Sequence, residues 1–143
     1  MLKAFERMKN SHWGLVIVGK AKGLRNSIRE IDQKKVLLLG EVPDKDLSLL
    51  YNLAELFIFP SFYEGFGLPP LEAMHCGCPT IVSNRSSLPE ICGPASCYIN
   101  PDSPEEIASM IEKILTDETA RNSYIEKGFK QIKLYDWEDS ARK

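Results

Sequence analysis

Short apolar runs alternate with stretches of helical period along this chain. Four runs have strand length and border a glycine or proline, and a fifth is weaker; they cover 15–18, 36–39, 56–59, 80–83 and 96–99. Runs that are apolar throughout are typical of strands covered on both faces. The pattern therefore predicts a parallel sheet enclosed by helices.

The intervening stretches predict helices over 23–32, 44–54, 69–76, from 104 onward, and 118–132. Asp44 is expected to cap the second of these, and prolines suit the first turn of the third. Ser103 precedes Pro104 and Glu106, which predicts a serine cap with proline at N1 and an acid at N3.

Strand and helix alternate four times, which predicts an α/β fold: a doubly wound, Rossmann-like parallel sheet with right-handed crossovers and helices on both faces. The length of 143 residues suits one domain, 1–143. Residues 2–8 resemble the back half of a helix with no strand before it. We therefore expect the chain to begin inside the first helix, after that domain's first strand.

Composition excludes several classes of function. The formal net charge of −2, with mixed signs, gives no reason to expect a nucleic-acid partner. No apolar run reaches the length of a membrane span, and the first residues do not resemble a signal peptide. We therefore expect a cytoplasmic protein, which a further domain could hold peripherally at the inner membrane face.

The four cysteines are expected to be reduced thiols. Cys76 and Cys78 are one residue too close for a Cys-x-x-Cys pair, and Cys92 and Cys97 are too far apart. The spacing therefore gives no support for a metal site.

The loop after the third strand carries the most unusual chemistry. Ligands of open parallel sheets bind beyond the carboxyl ends of the strands. The segment 60–72 contains two glycines that permit close backbone approach, and it opens into a helix whose N-terminus suits a phosphate. Glu64 and Glu72 flank this position. Their carboxylates suit hydroxyl groups on either side of a diphosphate, such as the ribose and the sugar of a sugar nucleotide.

These residues resemble the retaining GT-B glycosyltransferases with an E-x7-E motif, a large family that includes many bacterial and archaeal mannosyl- and glucosyltransferases. The resemblance covers nearly the whole chain and rests on several spaced motifs in the right order. They are Gly40-Glu41-Val42 with Leu47 and Leu50-Tyr51, Pro60-Ser61, Glu64-Gly65-Phe66-Gly67, Glu72-Ala73-Met74, Gly77-Cys78-Pro79, Ser87-Leu88-Pro89-Glu90-Ile91, and Asn100-Pro101 with Glu105-Glu106-Ile107-Ala108.

The resemblance implies a role for each matching position. Glu64 would be the catalytic residue that contacts hydroxyls of the donor sugar, and Glu72 would bind the ribose. Other donor contacts would come from the backbone N–H groups of the loop and from the segment that faces the base: Gly65, Phe66, Gly67, Leu68, Glu41 and Val42. Transfer in this family retains the anomeric configuration and needs no metal or other cofactor.

The implied function is donor binding in the C-terminal half of a GT-B hexosyltransferase, with a GDP- or UDP-hexose as donor and GDP-mannose as the preferred candidate. The family's diphosphate-binding basic pair would precede Met1, and the N-terminal acceptor-binding domain would lie outside the chain. We therefore expect the isolated chain to be inactive. Lys20 and Lys22, which follow the first strand, are candidates for supplying positive charge near the cleft, and Arg85, which follows the fourth strand, is a candidate for approaching the ligand.

The sequence bears on three alternative functions. A dinucleotide-binding oxidoreductase domain would need Gly-x-Gly-x-x-Gly after the first strand, and residues 19–23 lack it. A non-catalytic nucleotide-sugar-binding module stays open. A sugar-nucleotide epimerase of related architecture also stays open, although the motif context favours the transferase.

Overall fold

The computed structural model describes residues 1–8, 12–20 and 35–135. The helix predicted over 23–32, and Lys22, lie outside the described residues. The strands run in order as β1 Leu15–Val18, β2 Val36–Gly40, β3 Phe57–Phe59, β4 Thr80–Ser83 and β5 Ser96–Ile99. All five predicted strands are therefore confirmed, with one residue more in β2 and one fewer in β3.

The strands form two parallel sheets among the described residues, where the sequence predicted one open sheet. β1 pairs with β2, and β3, β4 and β5 pair in that order. The prediction of one continuous sheet is therefore corrected, because no hydrogen-bonded pairing joins the β1–β2 pair to β3 among the described strands.

The helices surround the second sheet and match most of the predicted bounds. They are α1 Leu2–Arg7, α2 Asp44–Leu53, α3 Leu68–His75, α4 Leu88–Cys92, α5 Pro104–Thr116 and α6 Glu118–Gln131. The short helix α4 was not predicted, because five residues are too few to show a helical period.

The caps of two helices test the sequence rules directly. At α5 the Glu106 N–H donates to Ser103 Oγ at 3.3 Å, and Pro104 occupies the first turn, as predicted. At α2 the predicted cap is wrong. Pro43 is the cap residue, without a side-chain cap bond, and Asp44 is already helical. Asp44 lies in the first turn, where its charge favours the helix through the dipole.

The core lies on both faces of the second sheet. Successive residues of a strand point to opposite faces. Ile81 of β4 packs into a cluster with α1 and α5, and Val82 packs into a second cluster with α3 and α4. Helices on both faces of this sheet confirm the doubly wound prediction.

The first sheet is less covered than its apolar sequence predicted. Val16 of β1 is 47% exposed and Leu37 of β2 is 55% exposed. The described helices α3, α4 and α5 pack instead on β3, β4 and β5. Among the described residues, helices therefore cover both faces of the second sheet, whereas Val16 and Leu37 of the first sheet are exposed.

Candidate functional site

The loop 60–67 connects the carboxyl end of β3 to the first residue of α3. Its last residue, Gly67, is the cap residue of α3 and has φ +112°, a left-handed conformation that side chains rarely adopt. An added Cβ at Gly67 would lie 2.8 Å from Leu88 Cδ2. Glycine is therefore required here both by the backbone angle and by the close approach of α4.

The start of α3 has no side-chain cap, and its sequence explains why. A capping side chain accepts from the N–H of the second or third helical residue. Those positions are Pro69 and Pro70, which have no N–H to give. The unpaired donors that a helix start normally exposes are thereby reduced to the N–H groups of Gly67 and Leu68. The first turn also lacks acidic residues, so the positive end of the helix dipole is not neutralised locally.

The backbone around Glu64 is bonded to two serines that follow β4. The Glu64 N–H donates to Ser86 Oγ at 3.3 Å, and the Ser86 hydroxyl donates to the Glu64 carbonyl at 2.7 Å. The Ser87 hydroxyl lies within hydrogen-bond distance of two carbonyls, at 3.0 Å from Glu64 and 2.8 Å from Phe66. The ends of β3 and β4 therefore meet at one edge of the sheet, as a parallel arrangement requires.

Glu72 lies in the second turn of α3 and is exposed, and its carboxylate accepts a hydrogen bond from another helix. The Tyr51 hydroxyl of α2 donates to Glu72 Oε2 at 3.3 Å. Burial raises the pKa of Tyr51 far above its usual value, and the nearby Glu72 charge raises the pKa further. Tyr51 therefore stays a hydrogen-bond donor at any physiological pH. Its ring packs edge-on against Phe57 of β3 at 5.2 Å between centroids.

The three aromatic side chains of the loop 60–67 differ in their surroundings. The Arg85 guanidinium lies over the Phe62 ring, with 5.5 Å between Arg85 Cζ and the ring centroid. Phe66 packs edge-on against Tyr135 at 5.7 Å. Tyr63 is 82% exposed. Of the three, Tyr63 has the most surface available to a ligand.

Two of the cations considered from the sequence are paired. Lys20 forms an exposed ion pair with Glu41 at 3.2 Å, at the ends of β1 and β2. Arg85 forms an ion pair with Asp102 at 2.5 Å. Glu41, predicted to face the base together with the half-buried Val42, thus contacts a neighbouring lysine rather than a residue of the loop 60–67. Exposed pairs of this kind contribute little to stability.

Sequence reasoning did not assign roles to Ser86, Ser87 or Tyr51. Ser86 and Ser87 lie in the segment that follows the end of β4 at Ser83, and the position after a parallel strand was the available signal, as it was for Arg85. Tyr51 gave no such signal, because it lies mid-helix and its side chain is buried.

Three further features concern metal binding, the cysteines and membrane-spanning helices. In the residues that the structure describes, no group of three His, Cys, Asp or Glu side chains is arranged to hold a metal ion. All four cysteines are free thiols, and Cys78, Cys92 and Cys97 are buried. No helix within 1–8, 12–20 or 35–135 is long and apolar enough to cross a membrane.

Comparison with known proteins identifies the family and the fold of this chain. The family model described as "Glycosyl transferases group 1" matches residues 1–131. O-antigen chain mannosyltransferase B of Escherichia coli is 46% identical over 101 residues, which cover 71% of this chain and 26% of that protein.

Two solved structures show the same fold. Sucrose-phosphate synthase of Thermosynechococcus elongatus matches with a TM-score of 0.81 and 25% identity, over 96% of this chain and 38% of its own. Anabaena HepE, solved with UDP, matches with a TM-score of 0.77 over 93% of this chain and 38% of its own; at 21% identity this likeness concerns the fold alone. The chain thus spans well under half of each of these three proteins. It belongs to the family of group 1 glycosyl transferases.

Proposed function

We propose that this chain binds the nucleotide-sugar donor of a retaining hexosyltransferase, and that GDP-mannose is the donor. The observation that carries this proposal is the arrangement of Glu64 and Glu72 on either side of an uncapped helix start. Glu64 lies in the loop before Gly67, and Glu72 lies in the second turn after it.

The helix start supplies what a diphosphate needs. Two N–H groups, of Gly67 and Leu68, remain without a side-chain cap, and the helix dipole adds partial positive charge. The left-handed φ of Gly67 turns the chain from the loop into α3, and the place that a Cβ would take faces Leu88 of α4. These features favour an anion at this position, and in this proposal no metal ion is needed to neutralise the charge of the diphosphate.

The two carboxylates supply acceptors for hydroxyl groups. Glu64 would accept from hydroxyls of the sugar, and Glu72 from those of the ribose. The Tyr51 bond to Glu72 Oε2 supports the second assignment, because it fixes one carboxylate oxygen and leaves the other oxygen for a ligand. Gly65 and Phe66 would add backbone N–H donors, and Glu41 and Val42 would face the base.

The choice of mannose rests on the relatives. O-antigen chain mannosyltransferase B, at 46% identity, carries a mannosyltransferase name. Fold neighbours at lower identity, such as HepE, bind UDP and UDP-glucose, so UDP-glucose is the rival donor that the experiment must separate.

In the proposed reaction an acceptor hydroxyl from a second domain approaches the anomeric carbon on the face that the diphosphate leaves. The bond from that carbon to the phosphate oxygen breaks as the bond to the acceptor oxygen forms, and the acceptor proton leaves with the diphosphate. The configuration is thereby retained. The positive helix end stabilises the charge that develops on the diphosphate.

The strand pairing supports a further strand outside these residues. In a doubly wound sheet of order 3-2-1-4-5-6, strand 3 pairs with strand 2, and strands 4, 5 and 6 pair in sequence. The observed β2–β1 pair and β3–β4–β5 sheet match that order with the place of strand 1 left open. We propose that a segment of a longer protein fills this place.

Calorimetric titration of the chain with GDP, UDP, GDP-mannose and UDP-glucose tests the donor assignment. We expect the guanine nucleotides to bind and EDTA to leave that binding unchanged. Glu72→Ala should weaken nucleotide binding by roughly 10- to 100-fold, as expected for lost hydrogen bonds to a charged group. Glu126→Ala, which removes an exposed glutamate of α6, is the matched control.

The role of Glu64 is tested separately. Glu64→Ala should weaken binding of GDP-mannose while leaving that of GDP unchanged, because only the sugar contact is lost. Failure of every nucleotide to bind, both to this chain and to a longer protein that supplies the further strand and the basic pair, would refute the donor site, and preferential binding of UDP-glucose would refute GDP-mannose as donor.

A further inference from the structure

Three consecutive residues after β4 contact three residues of the loop that precedes α3. The Ser86 hydroxyl bonds to the Glu64 backbone, and the Ser87 hydroxyl bonds to the Glu64 and Phe66 carbonyls. The Leu88 side chain lies 2.8 Å from the place that a Cβ of Gly67 would take. The segment 86–88 therefore packs along the loop from Glu64 to Gly67.

The conformation of Ser86 is unusual. Its φ is +57°, and within the described part of the chain it alone among non-glycine residues has a positive φ. Side chains adopt this left-handed region at a cost of roughly 1–2 kcal/mol. Such strain persists only where surrounding contacts determine it. Here the Ser86 hydroxyl makes reciprocal bonds with the N–H and carbonyl of Glu64 at 3.3 Å and 2.7 Å.

The serine bonds also determine where the loop's N–H groups point. In a trans peptide the carbonyl of one residue and the N–H of the next point in opposite directions. The Glu64 and Phe66 carbonyls both lie toward Ser87. The N–H groups of Gly65 and Gly67 must therefore point away from the serines.

We propose that Ser86 and Ser87 are positioning residues that aim the N–H groups of Gly65 and Gly67, and the side chain of Glu64, at the sugar and diphosphate of the donor. This inference rests on the proposed function of the loop. The Glu64 N–H is occupied by Ser86, so it does not serve as a donor to the ligand. The serines thereby set the preference for a sugar nucleotide over the bare nucleotide.

The test compares two ligands in one chain. GDP and GDP-mannose are titrated calorimetrically into the wild type, Ser87→Ala and Ser86→Gly; the UDP and UDP-glucose pair replaces them if that is the pair the wild type binds. Ser86→Gly removes the hydroxyl but permits the positive φ, so it separates the hydrogen bonds from the backbone strain. We expect each variant to bind the sugar nucleotide about tenfold more weakly and the bare nucleotide only a few-fold more weakly, because the bare nucleotide loses the Gly67 contact to its diphosphate but has no sugar contact to lose.

Two further variants serve as controls. Ser87→Thr keeps the hydroxyl and should restore most of the preference for the sugar nucleotide. Ser48→Ala removes a hydroxyl that donates to the Lys45 carbonyl at 2.9 Å on α2, and should change neither affinity. A general loss of stability would weaken both ligands together, so the ratio of the two affinities is the quantity that identifies positioning.

Amide hydrogen exchange reports on the loop without any ligand. Faster exchange in the peptide 61–67 is expected for Ser87→Ala and Ser86→Gly, with the strand β4 still protected. Unchanged exchange together with an unchanged affinity ratio would overturn the positioning role. Failure of the wild-type chain, and of a longer protein that supplies the further strand and the basic pair, to bind either nucleotide pair would instead overturn the proposed function.

Discussion

The buried hydroxyl of Tyr51 donates a hydrogen bond of 3.3 Å to Glu72 Oε2 across 21 residues of sequence. Tyr51 is only 6% exposed, whereas Glu72 is exposed at the surface of α3. A rigid, buried donor thus orients a carboxylate that is itself accessible to a ligand. The distance is long for an O–H···O bond, so its contribution to stability is small.

Tyr51→Phe removes this hydroxyl and keeps the ring against Phe57. We expect unfolding free energy to fall by about 1 kcal/mol or less. Nucleotide affinity should fall by roughly two- to fivefold, less than for Glu72→Ala, because the carboxylate remains but loses its orientation. Calorimetry and thermal unfolding measure the two effects. Tyr98→Phe, which removes a hydroxyl bonded to the Gly93 carbonyl, is the control and should leave affinity unchanged; an equal affinity loss there would contradict this account.

Gly67→Ala should destabilise the chain, because it imposes a Cβ both at φ +112° and 2.8 Å from Leu88 Cδ2. We expect a loss of roughly 1–3 kcal/mol in unfolding free energy, typical of a strained backbone position. Gly65→Ala is the matched variant, since nothing lies within 4 Å of its added Cβ and its φ is not in the left-handed region. Denaturant titration of both chains provides the comparison; equal midpoints would show that α4 yields to the methyl group.

Alkylation should distinguish the four thiols. Cys76 is partly exposed, and burial raises the pKa of Cys78, Cys92 and Cys97. Buried thiols with raised pKa react slowly, because the thiolate is the nucleophile. Iodoacetamide at pH 8 should therefore add one group to the native chain, at Cys76, and four groups after denaturation. Mass spectrometry of the wild type and Cys76→Ser tests this; rapid modification of a second native thiol would contradict it.

Stability should fall at alkaline pH. Burial raises the pKa of Cys78 from 9.0 to about 12 and that of Tyr98 from 10.0 to about 12. The hydrogen bond to Cys97, followed by burial, raises the pKa of Tyr124 to about 12. Between pH 9 and 12 the unfolded chain binds fewer protons than the folded chain, so stability decreases as pH rises.

Melting temperature between pH 8 and 11 measures this effect. The contribution of these groups is complete below pH 9 and is progressively lost as pH rises toward 12. Tyr98→Phe should show a shallower decrease than the wild type, because it removes one of the titrating groups. A melting temperature that stays constant up to pH 11 would be inconsistent with these raised pKa values.

Local sequence determined most of the secondary structure. Ser103, Pro104 and Glu106 define the start of α5 because the cap bond joins neighbours three residues apart. The strands β1, β4 and β5 match the predicted runs, since each run borders a turn and contains the apolar residues that a sheet buries. The same local rules failed at Asp44. The backbone is still extended at Pro43 and becomes helical at Asp44, so Pro43 is the cap residue.

The loop with Glu64, Gly67 and Glu72 was found from the sequence because its glycines, helix start and carboxylates are contiguous. The residues that hold this loop and its carboxylates in place were not found from the sequence. The bonds from Ser87 to Glu64 and from Tyr51 to Glu72 join residues more than twenty positions apart. A serine after a strand or a tyrosine within a helix has no local pattern that specifies its partner. Tertiary packing alone decided these contacts, together with the division of the strands into two sheets, because both depend on which segments meet in space.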